Sequence, residues 1–334
     1  MPAVSGSQER KTSGRAQSSS IERKGRAVAS KDTPAVKNGA ADTSKKAGRA
    51  SRFWRFPVTR IVLFALLLLV FWAIFAVAIW PLDPFDYKYW AAPLAAVSAL
   101  ALMGRIDGRT LAGFGFSRWP RALGETALGF AVGGLTMSAI VGIMALKGWY
   151  HGRPEMMTGA LASSLGNTLA IFFALAIFEE AVYRGYFFQT LERRWGSDIA
   201  FAATMVTFGL MHLTIDIPGA STSLKLIGAL SIAVEAGILF AAAYLLTRRL
   251  WMPIGIHCAW NFFEGPVYGT PVTGSNLGQT LFDGHVTGPA WATGGGFGPE
   301  ASIPALLVGT AIGLLMLWIA QRRRHRLDKG RSSA

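Results

Sequence analysis

The chain has 334 residues, 51% of them hydrophobic and 16% charged, with 33 Lys and Arg against 19 Asp and Glu for a formal net charge of +14. Apolar residues in that proportion, gathered into long blocks, exceed what one water-soluble domain needs to bury and argue against a freely soluble protein. The positive charge does not read as a nucleic-acid footprint: residues 1–60 hold 14 Lys/Arg against 4 Asp/Glu, and the stretch after Gln321 is basic again, so the charge flanks apolar runs as the positive-inside rule requires.

Residues 1–55 are rich in Ser, Gly, Ala and Lys, and the first 50 contain no aromatic side chain. This composition predicts a disordered basic cytoplasmic tail whose natural counter-charge is anionic lipid headgroups. The first apolar run follows too long a polar stretch for a conventional signal peptide and is expected to stay as an anchor. From there to residue 320 the sequence predicts a membrane-embedded domain, closed by a second basic cytoplasmic tail over 321–334. Helical spans are drawn at about 60–80, 87–104, 121–146, 160–191, 197–213, 224–247, 251–264 and 301–320. The expected fold is therefore an all-α polytopic transmembrane bundle of about eight spans enclosing a polar cavity.

Charges on the connections test that count. The link with Asp83 and Asp86 is net negative, the next carries Arg105, Arg109, Arg118 and Arg121, Arg193 and Arg194 mark one later end, and Arg248 and Arg249 another. The alternation fits eight crossings in an inner or plasma membrane with both termini cytoplasmic. The 265–300 connection has no Lys or Arg, is rich in Gly, Pro and Thr, and reads as external turns of the kind that form lids or binding surfaces. No internal repeat is visible, which weakens a secondary-transporter reading.

Inside or beside the apolar runs stand Glu179, Glu180, Arg184, His212 and His257, the last accompanied by Asn261. Ionisable groups in hydrocarbon are costly, so they normally face a protein interior or a water-filled cavity and serve a function. Glu180 and Arg184 are four apart and share a helical face, where a pair holding the fold is the plain reading. Glu179 lies about 100° around the helix and is left for other work. Phe208 precedes His212 by one turn, and His257 shares a face with Asn261. Counting from Arg193 and Arg194, Glu179 lies roughly 20 Å along its helix; His212 reaches about the same depth from Ser197, and His257 and Asn261 lie roughly 12 and 18 Å from Arg249. Three segments remote in sequence are thus expected to converge at one level of the bundle.

Such a set suits hydrolysis. Glu179 can take a proton from water, His212 can position that water, and His257 with Asn261 can donate hydrogen bonds to a carbonyl oxygen as charge develops on it. Zinc held by Glu179, His212 and His257 is the alternative chemistry, although no His-Glu-x-x-His segment or other local chelate is present. Glu235 lies in an apolar span and either lines the same cavity or packs against a polar partner. Glu125 and Glu264 fall near span ends, where exposure at the interface is expected. Cys258, the single cysteine, reads as a small buried hydrophobe.

Three short motifs carry a family likeness: Glu179-Glu180-Ala181-Val182-Tyr183-Arg184, Phe208 to His212, and His257 to Asn261. In this order on apolar helices, over roughly residues 80–320, the chain resembles the CPBP intramembrane proteases, also called the abortive-infection or CAAX-protease-like family. The resemblance implies that Glu179 and His212 activate water, Glu180 and Arg184 support the site, and His257 with Asn261 stabilises the oxyanion. It implies a membrane protein or peptide as substrate, with the metalloprotease label and a metal-independent glutamate mechanism both attached to the family. A noncatalytic scaffold or bacteriocin-immunity protein and a proton-coupled transporter are the competing readings.

Overall fold

Long apolar runs bounded by proline, glycine and hydroxyl side chains set the helices. A computed structural model describes residues 56–332 except 216, 218–220 and 277, with side chains to Arg326. The expected tail over 1–55 lies outside the described residues, as do the last two residues of the C-terminal one. Helix α1 (Pro57–Ile79) opens on proline, whose fixed φ and missing N–H suit the first helical position. Helix α2 (Tyr87–Asp107) stops at Gly108, which takes a left-handed φ of 64° that glycine adopts without steric cost. Helix α3 (Arg121–Leu146) leads to strand β1 (Tyr150–Pro154). Helix α4 (Gly159–Glu180) is capped by Thr158, whose hydroxyl accepts the Leu161 N–H at 3.1 Å.

The chain winds on from α4 without a break, through a π-helical segment at Ala181–Phe187 into α5 (Phe188–Trp195). Helices α6 (Ser197–His212), α7 (Thr222–Thr247) and α8 (Trp251–Phe262) follow, and α8 is extended by a second π-helical turn at Phe263–Val267. Strand β2 (Phe282–Val286), a single turn α9 (Ala290–Thr293) and the long α10 (Ile303–Ser332) complete the described chain. The protein is an all-α polytopic helical bundle, as its sequence predicts.

Among the described residues, six helices are long and apolar enough to cross a membrane: α1, α2, α3, the continuous Gly159–Trp195 run, α7, and α10 as far as Arg326. The other two expected spans are α6, with 16 residues, and α8, with 12, and both fall short of that length. Both stop where polar side chains collect, so the ends of the short helices and the site coincide. The turns expected over 265–300 also contain a strand: β2 pairs antiparallel with β1, Tyr150 opposite Val286 and Pro154 opposite Phe282. The β1 segment, Tyr-His-Gly-Arg-Pro, has no apolar alternation to announce it.

Small residues bring the central helices close. Gly129 and Gly133 of α3 face the backbone of Met252 and Ile256 on α8, and Gly255 of α8 faces the Thr126 carbonyl, with no room for a Cβ at any of the three. Such contacts are how helices pack where lipid removes the hydrophobic drive between them. Ion pairs fasten the ends: Arg249 with Glu125 joins the α7–α8 turn to α3, and Arg248 grips Glu192 of α5 through two bonds of 2.8 and 2.9 Å.

Candidate active site

Glu180 is the last residue of α4, and Arg184 sits in the π-helical segment that follows. Both are fully buried, and the Arg184 guanidinium donates to Glu180 Oε1 at 2.9 Å and to the Ala236 carbonyl on α7 at 3.4 Å. Phe208 and Phe240 lie against the guanidinium, their ring centroids 4.9 and 5.1 Å away. A buried ion pair recovers its desolvation cost only with such supplementary contacts. The Glu180–Arg184 pair is thus buried with its contacts supplied from two helices, and it has a further task.

That task is to hold His257. Glu180 Oε1 also lies 3.1 Å from His257 Nδ1, and Glu179 Oε2 lies 3.8 Å from Nε2 on the other side of the ring. Adjacent carboxylates on one helix thus address the two nitrogens of one imidazole. The ring, nearly fully buried, stacks on Phe240 at 4.7 Å with an interplanar angle of 13°. A carboxylate accepts only, so an ionised Glu180 fixes the hydrogen on Nδ1 and turns Nε2 toward Glu179.

His212, the last residue of α6, is oriented by its own helix. Its Nδ1 lies 2.8 Å from the Phe208 carbonyl, and since a carbonyl cannot donate, Nδ1 carries the hydrogen. Nε2 of the neutral ring is then a free lone pair. The Phe208 ring lies 4.9 Å from the His212 ring and 6.4 Å from the His257 ring, which makes Phe208 the spacer between the histidines.

Glu179, Phe208, His212, His257 and Asn261 line one cavity of ≈ 50 Å³, room enough for ordered water. The structure brings the whole sequence-predicted set together: the five cavity residues directly, and Glu180 with Arg184 behind His257. Among the described residues, no three His, Cys, Asp or Glu side chains converge as a metal-holding group. His257 is engaged by two carboxylates, an arrangement that fits proton transfer better than a zinc tetrahedron.

Three acids complete the surroundings. Glu235 lines the cavity, almost fully buried, with neither carboxylate oxygen hydrogen-bonded among the described residues. Of its two sequence readings, the cavity wall is the one observed. Glu264, expected at an exposed interface, is fully buried instead: the π-helical turn carries it inward, and its Oε1 accepts the Glu300 N–H at 2.8 Å. Glu300 and Thr273, from the 265–300 connection, also line the cavity and are joined by a 2.7 Å hydrogen bond from the threonine hydroxyl. Burial pushes the Glu300 carboxyl above the ordinary carboxylate range, while His212 and His257 pull it back. Sequence reasoning missed Thr273 and Glu300 because they lie in a Gly-rich stretch without periodicity; a lone acid before the final apolar run was the available signal.

Residues 161–263 match the family described as Type II CAAX prenyl endopeptidase Rce1-like. The three motifs all fall inside this segment, and the match agrees with the resemblance they carry. At the family level it supports a CAAX-type intramembrane protease in a multi-pass membrane protein. No curated protein and no solved structure matches the chain.

Proposed function

We propose that the protein is an intramembrane endopeptidase that hydrolyses a peptide bond in a membrane-associated protein or peptide, using water activated by Glu179 and His212. The observation that carries this reading is the shared cavity, in which a carboxylate with one loose contact faces an imidazole whose free lone pair is fixed by its own helix. Glu179 takes a proton from water as the water oxygen attacks the peptide carbonyl, and His212 Nε2 orients that water. His257, acting as an imidazolium with Nδ1–H on Glu180 and its second hydrogen on Nε2, and the Asn261 amide donate to the carbonyl oxygen as negative charge gathers there. When the C–N bond breaks, the proton held by Glu179 passes to the leaving amine, and the carboxylate is restored. Glu180 and Arg184 hold the His257 ring in place throughout.

By the positive-inside rule the basic ends of the chain are cytoplasmic, in an inner or plasma membrane, with the 265–300 connection on the opposite side. The test is Glu179→Gln in the full chain. The variant should fold with the parent's thermal transition and capture substrate from native membranes, for identification by mass spectrometry. The parent should cleave the captured protein about 10²- to 10⁴-fold faster than the variant, the range a general base supplies. Equal turnover by both forms would remove Glu179 from its role. Capture without cleavage by either would establish the noncatalytic scaffold.

A further inference from the structure

A second cavity, of ≈ 310 Å³, opens at the opposite end of the bundle from the acidic connection, where α1 begins and α2 and α5 end. Arg60, Arg193 and Arg194 line it together with Thr190, Ile106 and a single acid, Asp107. Its size is that of a small-ligand site. Asp107 is already committed to an ion pair with Arg60. The other nearby acid, Glu192, is held by both terminal nitrogens of Arg248 and by the Ser197 hydroxyl at 2.7 Å. Arg193 and Arg194 therefore have no acidic partner among the described residues, and Arg60 and Arg193 repel one another. Two uncompensated guanidinium groups on α5, with the paired Arg60 of α1 lining the same cavity, recognise an oxyanion, and a phosphate group suits their fork geometry best.

The surroundings specify which phosphate. Phe56 and Trp195, both partly exposed, meet edge to face at 6.1 Å beside this end of the bundle, in the manner of aromatic side chains at a membrane surface. Immediately beyond Arg60, α1 leaves Val62, Leu66 and Leu69 each more than half uncovered, the surface that acyl chains would contact. We propose that this cavity is a binding site for the phosphodiester headgroup of an anionic membrane lipid, its phosphate held by Arg193, Arg194 and Arg60 and its chains laid along α1. Basic pockets between spans on the cytoplasmic side are a recurrent form of lipid recognition. The inference rests on α1, α2 and α5 and is independent of the hydrolytic reading.

The experiment titrates the purified full chain, in neutral detergent, with phosphatidylglycerol, phosphatidylcholine and inorganic phosphate in separate arms, read by native mass spectrometry and by the thermal transition. Phosphatidylglycerol should form a saturable adduct and raise the transition, and phosphatidylcholine should do neither. Arg193→Gln/Arg194→Gln should weaken phosphatidylglycerol by about tenfold or more, while keeping the parent's transition without lipid because both side chains are exposed. Arg322→Gln/Arg323→Gln removes the same charge from α10 and should bind like the parent. Equal losses in the two double variants would reduce the effect to general surface charge and overturn the proposal, as would unchanged binding by the first. Saturation by inorganic phosphate at the same concentration would show a free-anion site and overturn the lipid assignment.

Discussion

The central unit of the site is one imidazole between two carboxylates, and its stability depends on the guanidinium behind it. Removing Arg184 leaves Glu180 charged and wholly buried beside His257, a loss of about 3–5 kcal/mol by the behaviour of buried pairs. Arg184→Met should therefore lower the thermal transition in detergent markedly, whereas Glu179→Gln, at a partly exposed side chain, should leave it within about 0.5 kcal/mol of the parent. Thermal unfolding of the two variants side by side checks the contrast between a supporting and a reacting group. The motif spacings made this division legible in the sequence: Glu180 and Arg184 are one turn apart, and Glu179 is offset around the helix. The convergence of both glutamates on His257 was not legible, because it depends on how α4 meets α8, and neighbours on one helix say nothing about a partner 77 positions away. Glu264 was misread for a related reason. Its position near a span end suggests water, but the π-helical turn places it under the Glu300 backbone.

Each expected helix is present with boundaries close to those drawn from apolar runs, since length and hydropathy are written locally, except that α10, drawn to 320, continues through the basic residues to Ser332. The π-helical segments are not, because no residue pattern distinguishes them from continued α-helix; both occur beside the site, where such turns are common. The strand pair was hidden because β1 and β2 are joined across more than a hundred residues by backbone bonds that polar side chains do not advertise. The close approach of α3 and α8 gives the sharpest prediction among the elements. Any side chain at Gly255 must displace the Thr126 carbonyl, and at Gly133 the backbone of Ile256. Gly255→Val should separate the helices, shift His257 and Asn261 with α8, and abolish both activity and a cooperative thermal transition. Gly142→Ala on the same α3, at a position with open space, should change neither. Comparing the two variants by melting and cleavage distinguishes packing from helix propensity.

Across the whole molecule, the 265–300 connection is tied to the cavity by Thr273 and Glu300, so the loop roofs the site. Because burial raises the Glu300 pKa above its unfolded value, the folded state bears no penalty below that unfolded value. The penalty grows as pH rises toward the folded pKa. Glu300→Gln removes the titration while keeping an acceptor for Thr273. The variant's melting temperature relative to the parent should therefore rise between pH 4 and pH 8, and a difference independent of pH would count against a titrating Glu300. The short α6 has a consequence on the same scale. Its 16 residues extend roughly 24 Å, less than the ~30 Å apolar layer of an ordinary bilayer, and it ends at His212 itself. A host membrane of matching thinness would hold that imidazole at a constant distance from water, whereas a thicker one would strand it. Acyl-chain length should thus govern turnover, with reconstituted protein working faster in short-chain than in long-chain lipids.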